Sequence, residues 1–77
     1  MKAAYKKEHL QVGLKISYYR KLRGLTQEQL AEKVNRTPAY IGHLEAPNIN
    51  KAVSLDTLFD IAAALNAPAY KFLVFDE

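Results

Sequence analysis

The chemistry available to this 77-residue chain comes from hydrogen-bond donors and cations, because the residue types for covalent or metal chemistry are missing or scattered. It has no cysteine, hence no thiolate nucleophile, disulfide framework or thiolate zinc site. Its two histidines, His9 and His43, fall on different predicted helices, with no carboxylate spacing that suggests metal ligation. No glycine-rich loop that could cradle a phosphate is present. An enzyme, a cofactor or a small-molecule ligand is therefore not expected. What remains is a cluster of donors, Arg36, Thr37, Tyr40 and His43, with Lys51 downstream. Such groups bond phosphate oxygens or base edges.

The charge distribution points the same way. The formal net charge is +3, but residues 1–23 hold Lys2, Lys6, Lys7, Lys15, Arg20, Lys21 and Arg23 against Glu8 alone, seven minus one or +6. A basic edge of this kind suits an anionic polymer. For Lys2 to Lys7 the alternative is a flexible, merely solubilising arm.

The elements that must position these groups can be read from local grammar. Thr26 caps a helix with Gln29 three residues on, the spacing of a capping box, and Leu25 with Leu30 forms a hydrophobic staple. Leu30, Ala31 and Val34 make the inner stripe of this second helix. Asn35 suits the left-handed residue after it, Thr37 caps a third helix, Pro38 fits its first position and Pro47 prevents its continuation. The third helix thus spans Pro38 to Glu45, with Ile41 and Leu44 inward and Pro38, Ala39, Gly42, His43 and Ala46 outward. A first helix over about Glu8 to Arg23 ends at Gly24 as left-handed cap. A fourth starts at Ser54, with Val53 and Leu58 as a staple, and closes at Asn66. A fifth opens at Pro68 and offers Phe72 and Leu73 to the core.

These readings give one all-α domain, a compact five-helix bundle over residues 1–77, with residues 1–7 as a basic arm and 26–45 as a helix-turn-helix. A chain of this length buries only about 60–65% of its unfolded surface. The expected core is Val12, Ile16, Tyr19, Leu25, Leu30, Ala31, Val34, Ile41, Leu44, Leu55, Leu58, Ile61, Leu65 and Phe72. Leu10, Leu14, Tyr18 and Leu22 form a second stripe on the first helix. Either the chain's own C-terminal segment covers it or it is a patch that wants a partner. No apolar run approaches the roughly 20 residues that cross a bilayer, so a soluble, cytoplasmic protein is expected.

Three blocks, Gly24-Leu25-Thr26-Gln27-Glu28-Gln29-Leu30-Ala31, Tyr40-Ile41-x-x-Leu44-Glu45 and Ser54-Leu55-Asp56-Thr57-Leu58-x-x-Ile61-Ala62-x-Ala64-Leu65, together resemble the Xre or Cro-type helix-turn-helix family. This is the lambda-repressor-like fold, and the resemblance covers about Val12 to Leu73. It implies that the third helix enters the major groove of duplex DNA while the second crosses the backbone. It also implies a phosphate contact for Gln27, whose alternative is a merely exposed helix former, and a structural ion pair between Arg20 and Glu45. Phosphate contacts are then expected from Gln27, Arg36, Thr37, Tyr40 and Lys51; the alternative for Tyr40 is half-buried packing. Base contacts are expected from Pro38, Ala39, Gly42 and His43. Here the chain departs from the family pattern, because the Gln or Arg of the usual bidentate contacts is missing. His43 is either a base reader or a solvated surface histidine, and Gly42 either allows close approach to DNA or is an ordinary surface glycine.

The resemblance implies a sequence-specific DNA-binding transcriptional regulator, a repressor acting as a homodimer on a palindromic operator. The alternative is an antitoxin or protein-interaction module, with DNA binding secondary and Leu10, Leu14, Tyr18, Leu22 and Phe75 contacting a protein partner.

Overall fold

The computed structural model describes residues 3–49 and 51–75, so Lys2 of the expected arm and the acidic pair Asp76-Glu77 lie outside the described residues. Among the described residues there are four α-helices and no strand: α1 (Lys6–Leu22), α2 (Gln27–Lys33), α3 (Pro38–Glu45) and α4 (Leu55–Ala64). Two single turns of 3-10 helix, Ala3–Tyr5 and Ala69–Phe72, stand at the two ends.

Local chemistry explains the starts and stops of the middle helices. Thr26 accepts from the Gln29 amide at 3.0 Å while the Gln29 side chain accepts from the Thr26 amide at 2.8 Å, a reciprocal capping box. Thr37 caps α3 through the Tyr40 amide, with Pro38 at the first position, and Ser54 caps α4 through the Thr57 amide. Gly24, Asn35 and Asn66 take left-handed φ values of 72°, 57° and 54° after α1, α2 and α4. These are the positions where such a backbone lets the helix end satisfy its last carbonyls.

The core gathers one stripe from each helix. Val12 and Ile16 of α1, Leu30 and Ala31 of α2 with Val34 at its end, Ile41 and Leu44 of α3, and Leu58, Ile61, Ala62 and Leu65 in and after α4 are buried together with Phe72. Tyr19 and Leu25 pack against this cluster half-buried.

Four expectations need correction. The fifth helix is only the single turn Ala69–Phe72: Pro68 is extended and supplies no side-chain cap, and one turn is enough to drive Phe72 into the core. Leu73, expected beside it, is 49% exposed. Leu55 is 62% exposed rather than buried: it shares a face with Leu58 and Ala62 but is the first residue of α4, and in that turn Thr57 is buried instead. Finally α1 begins at Lys6, so Lys6 and Lys7 stand on its first turn rather than on an arm; no capping residue marks this start, since Tyr5 offers no side-chain cap.

Gly13 is a feature the periodicity did not single out. It sits on the same face of α1 as Ile16 and Arg20, is buried, and faces the backbone of α3: a Cβ built there would collide with the Leu44 carbonyl oxygen. An interior helical glycine ordinarily costs about 1 kcal/mol relative to alanine. Here the missing side chain lets α1 lie directly on the end of α3. Gly13→Ala should therefore destabilise the protein by about 1–3 kcal/mol, the usual range for overpacking, against the stabilisation that helix propensity alone would give. Thermal denaturation followed by circular dichroism measures the sign, and a raised melting temperature contradicts the close approach.

Candidate nucleic-acid interface

Where α1 meets the end of α3, Arg20 and Glu45 form a two-pronged ion pair. Arg20 Nε donates to Glu45 Oε2 at 2.7 Å and Nη2 to Oε1 at 2.9 Å, with both residues buried. The third nitrogen, Nη1, donates to the Leu25 carbonyl at 2.6 Å, which ties the turn between α1 and α2 to the same guanidinium. The hydrogen bond to Glu45 raises the Arg20 pKa above its ordinary value, with burial opposing and the carboxylate's charge adding to the rise. Parallel N–H···O bonds of this kind fix orientation as well as energy.

Gln27 joins this group. Its Nε2 donates to Glu45 Oε1 at 3.0 Å, so the first residue of α2 is bonded to the last residue of α3. Its Oε1 lies 3.4 Å from the place where a Cβ of Gly42 would stand, so the glycine leaves lateral room for the carboxamide. The relation of α2 to α3 is thereby held at both sides of the turn: by Leu30, Ala31, Ile41 and Leu44 within, and by Gln27 and Glu45 at the rim.

The donors expected to contact phosphate divide into two sets. Arg36 donates from Nη2 to Thr57 Oγ1 at 2.8 Å, and Ser54 Oγ donates to the same oxygen at 3.0 Å, so Arg36 anchors the turn between α2 and α3 onto α4. Its guanidinium also lies 4.6 Å from the centre of the Tyr40 ring, and Lys51 Nζ lies 5.4 Å from it. Tyr40 is half-buried against the core cluster and collects two cations on one aromatic ring. Among the described residues the ion pair within 4 Å is Arg20–Glu45, so the charges at Tyr40 are not neutralised by a nearby carboxylate. Thr37, Pro38, Ala39 and His43 are exposed along the start and outer edge of α3, and Gly42 is half-exposed between them and Gln27.

The N-terminal excess of charge does not form a single phosphate edge. Arg20 is consumed by Glu45, and Arg23 donates to the Leu65 and Asn66 carbonyls at 2.7 and 3.0 Å, closing the end of α4. Lys7, Lys15 and Lys21 lie on the side of α1 away from Gly13 and Arg20, hence away from α3, whereas Lys6 is in register with Gly13. Gly13, Arg23 and Thr57 were the positioning residues that sequence reasoning missed. The one usable signal was an interior glycine in register with Ile16 and Arg20.

Two short helices at a fixed angle, the second with an exposed N-terminal edge and donors beside it, constitute a helix-turn-helix, a motif that docks its second helix in the DNA major groove. The Xre/Cro-like helix-turn-helix family matches residues 16–72, and the chain belongs to that family. Among solved structures it is similar to the restriction-modification controller protein C.AhdI from Aeromonas hydrophila, with 25% identity, TM-score 0.81 and coverage of 88% of this chain and 96% of that one. It is also similar to the clp gene regulator ClgR from Corynebacterium glutamicum, with 29% identity, TM-score 0.77 and coverage of 84% and 82%. A hypothetical transcription factor, NHTF from Neisseria, shares the fold at 24% identity and TM-score 0.79, over 87% of this chain and 75% of that one. A search of curated proteins returns no match. No helix among the described residues is long and apolar enough to cross a membrane.

Removal of one partner from a buried pair leaves the other charge uncompensated, at a cost of roughly 3–5 kcal/mol. Glu45→Ala should accordingly lower the melting temperature steeply and, by freeing Gln27 and the end of α3, also weaken duplex binding. Gln27→Ala removes one hydrogen bond at the rim, worth about 0.5–1.5 kcal/mol, and should spare the fold. Calorimetry on the two variants checks the contrast; equal, small losses would mean that the pair is not a brace.

Proposed function

We propose that the chain is a sequence-specific, double-stranded DNA-binding transcriptional regulator that acts as a repressor, as a homodimer on a palindromic operator. The observation that carries this reading is the exposed N-terminal edge of α3, Thr37, Pro38 and Ala39 with His43 one turn on, flanked by Lys51 and Tyr40 and braced from behind by Arg20 and Glu45. Gln27, Thr37, Tyr40 and Lys51 serve as phosphate contacts that set the register, with Arg36 adding charge from its anchored position. Ala39 meets a thymine methyl, and His43 donates to a guanine acceptor or, when neutral, accepts from an amino group. With so few direct readers, the preference draws on DNA shape and deformability as well. Two-fold pairing finds its apolar candidates in Leu55 and Phe59 of α4 and in Tyr70, Leu73 and Val74, all exposed in the single chain. An operator occupied across a promoter keeps polymerase out, which is the sense in which the protein represses. The likeness to a controller protein and to a gene regulator agrees with this role.

In vitro selection from a random duplex library at physiological salt tests the proposal, since non-specific phosphate binding weakens steeply as salt rises. The expected product is a palindrome with half-sites about one helical turn apart; the absence of any enriched sequence would contradict it. On the selected site, Lys51→Gln should weaken binding to all sequences alike and reduce the salt slope by about 1, whereas His43→Ala should relax the preference at a single base pair. Fluorescence anisotropy at several salt concentrations separates the two effects.

A further inference from the structure

The second stripe on α1 is exposed from Leu14 onward, while Leu10 is half-buried. Leu14, Tyr18 and Leu22 are 56%, 58% and 57% exposed, on the side of the helix opposite Val12, Ile16 and Arg20. With Gln11, Lys15, Tyr19 and Phe75, Leu14 and Tyr18 line a shallow groove of about 480 Å³. Phe75 packs half-buried against the core cluster and reaches only one wall of this groove. Among the described residues, the expected cover by the C-terminal segment is therefore limited to Phe75.

Charge selects among the possible occupants. Lys7, Lys15 and Lys21 flank the apolar stripe, and the one carboxylate of α1, the exposed Glu8, lies two turns before Lys15 on the same edge, which leaves three cations against one anion. A second copy pairing through the same face would set lysines against lysines, which is unfavourable. Duplex DNA engaged by α3 lies on the other side of α1, and a bilayer, being flat, does not fill a concave groove. We propose that this groove docks an acidic amphipathic helix of a partner protein. Apolar side chains at i, i+3 or i+4, and i+7 of that helix enter beside Leu14, Tyr18 and Leu22, while its flanking carboxylates pair with Lys7, Lys15 and Lys21. The order Phe75-Asp76-Glu77, an aromatic at the groove wall followed in sequence by two carboxylates, is a short sample of the same chemistry. Because this face turns away from α3, the partner docks while the protein is on DNA, and the proposal stands whether or not an operator is found.

Two synthetic helical peptides with the same leucine stripe, one flanked by glutamates and one by lysines, provide the test against the isotope-labelled full chain. The glutamate peptide should bind and shift the amide signals of residues 11–22 and Phe75, and the lysine peptide should not. The double variant Lys15→Glu, Lys21→Glu keeps the fold and should invert the preference, with at least about tenfold loss for the glutamate peptide. Tyr18→Glu should abolish binding of the glutamate peptide and leave duplex affinity unchanged. Equal binding of both peptides, shifts elsewhere on the molecule, or preference for anionic vesicles over the glutamate peptide would overturn the proposal. So would self-association of the wild type that Tyr18→Glu abolishes, since that would assign the face to a second copy.

Discussion

The contact between Arg20 and Glu45 is the constraint on which the arrangement of this protein depends. It joins the last turn of α1 to the last residue of α3, where Gly13, two turns earlier on the same face, lets α1 approach the backbone of α3. A charge pair placed in a core is weak evidence for stability in itself, since desolvation offsets most of the attraction. Its value here is directional. The planar guanidinium admits few orientations of the carboxylate, the Leu25 carbonyl occupies its remaining edge, and Gln27 occupies one oxygen of Glu45. Three elements thus converge on one hydrogen-bonded group, and the exposed edge of α3 inherits its angle from that group.

This arrangement also explains how a small excess of positive charge is partitioned. Arg20 in the last turn of α1 and Arg23 just after it are used inward, at Glu45 and at the end of α4, where planar multiple donation suits carboxylate and carbonyl partners. Lysines are left outward. Arg36 and Lys51, far from α1 in sequence, gather at Tyr40 next to the start of α3 and make the local charge that a phosphate requires. The molecule therefore carries two cationic surfaces with different surroundings. One is polar and lies beside the start of α3; the other is interleaved with Leu14, Tyr18 and Leu22 on the far side of α1.

Much of this was legible from residue order because it depends on neighbours in the chain. Thr26 with Gln29, Thr37 with Pro38, Ser54, and the left-handed Gly24, Asn35 and Asn66 each act within one turn, so their roles follow from spacing alone. The Arg20–Glu45 contact was named only through resemblance, since nothing local brings residues 25 apart together. What escaped depends on docking. Whether Leu55 faces inward is decided by the orientation of α4 on the other helices, not by its apolar character. The single turn at Ala69–Phe72 was read as a helix because a proline start signal says nothing about length, and the insertion of Phe72 needs only one turn. Gln27 was expected to reach for phosphate, and its bond to Glu45 became visible only once α2 and α3 were placed side by side.

The central claim is that the polar edge of α3, and not the lysine face of α1, meets DNA. Titration of the isotope-labelled protein with duplex DNA, followed through backbone amide shifts, tests it most directly. The account predicts that the largest changes fall on Gln27, on Thr37 through His43 and on Lys51, with Lys7, Lys15, Tyr18 and Lys21 nearly unmoved. Changes concentrated on the lysine face of α1, with α3 silent, would contradict it.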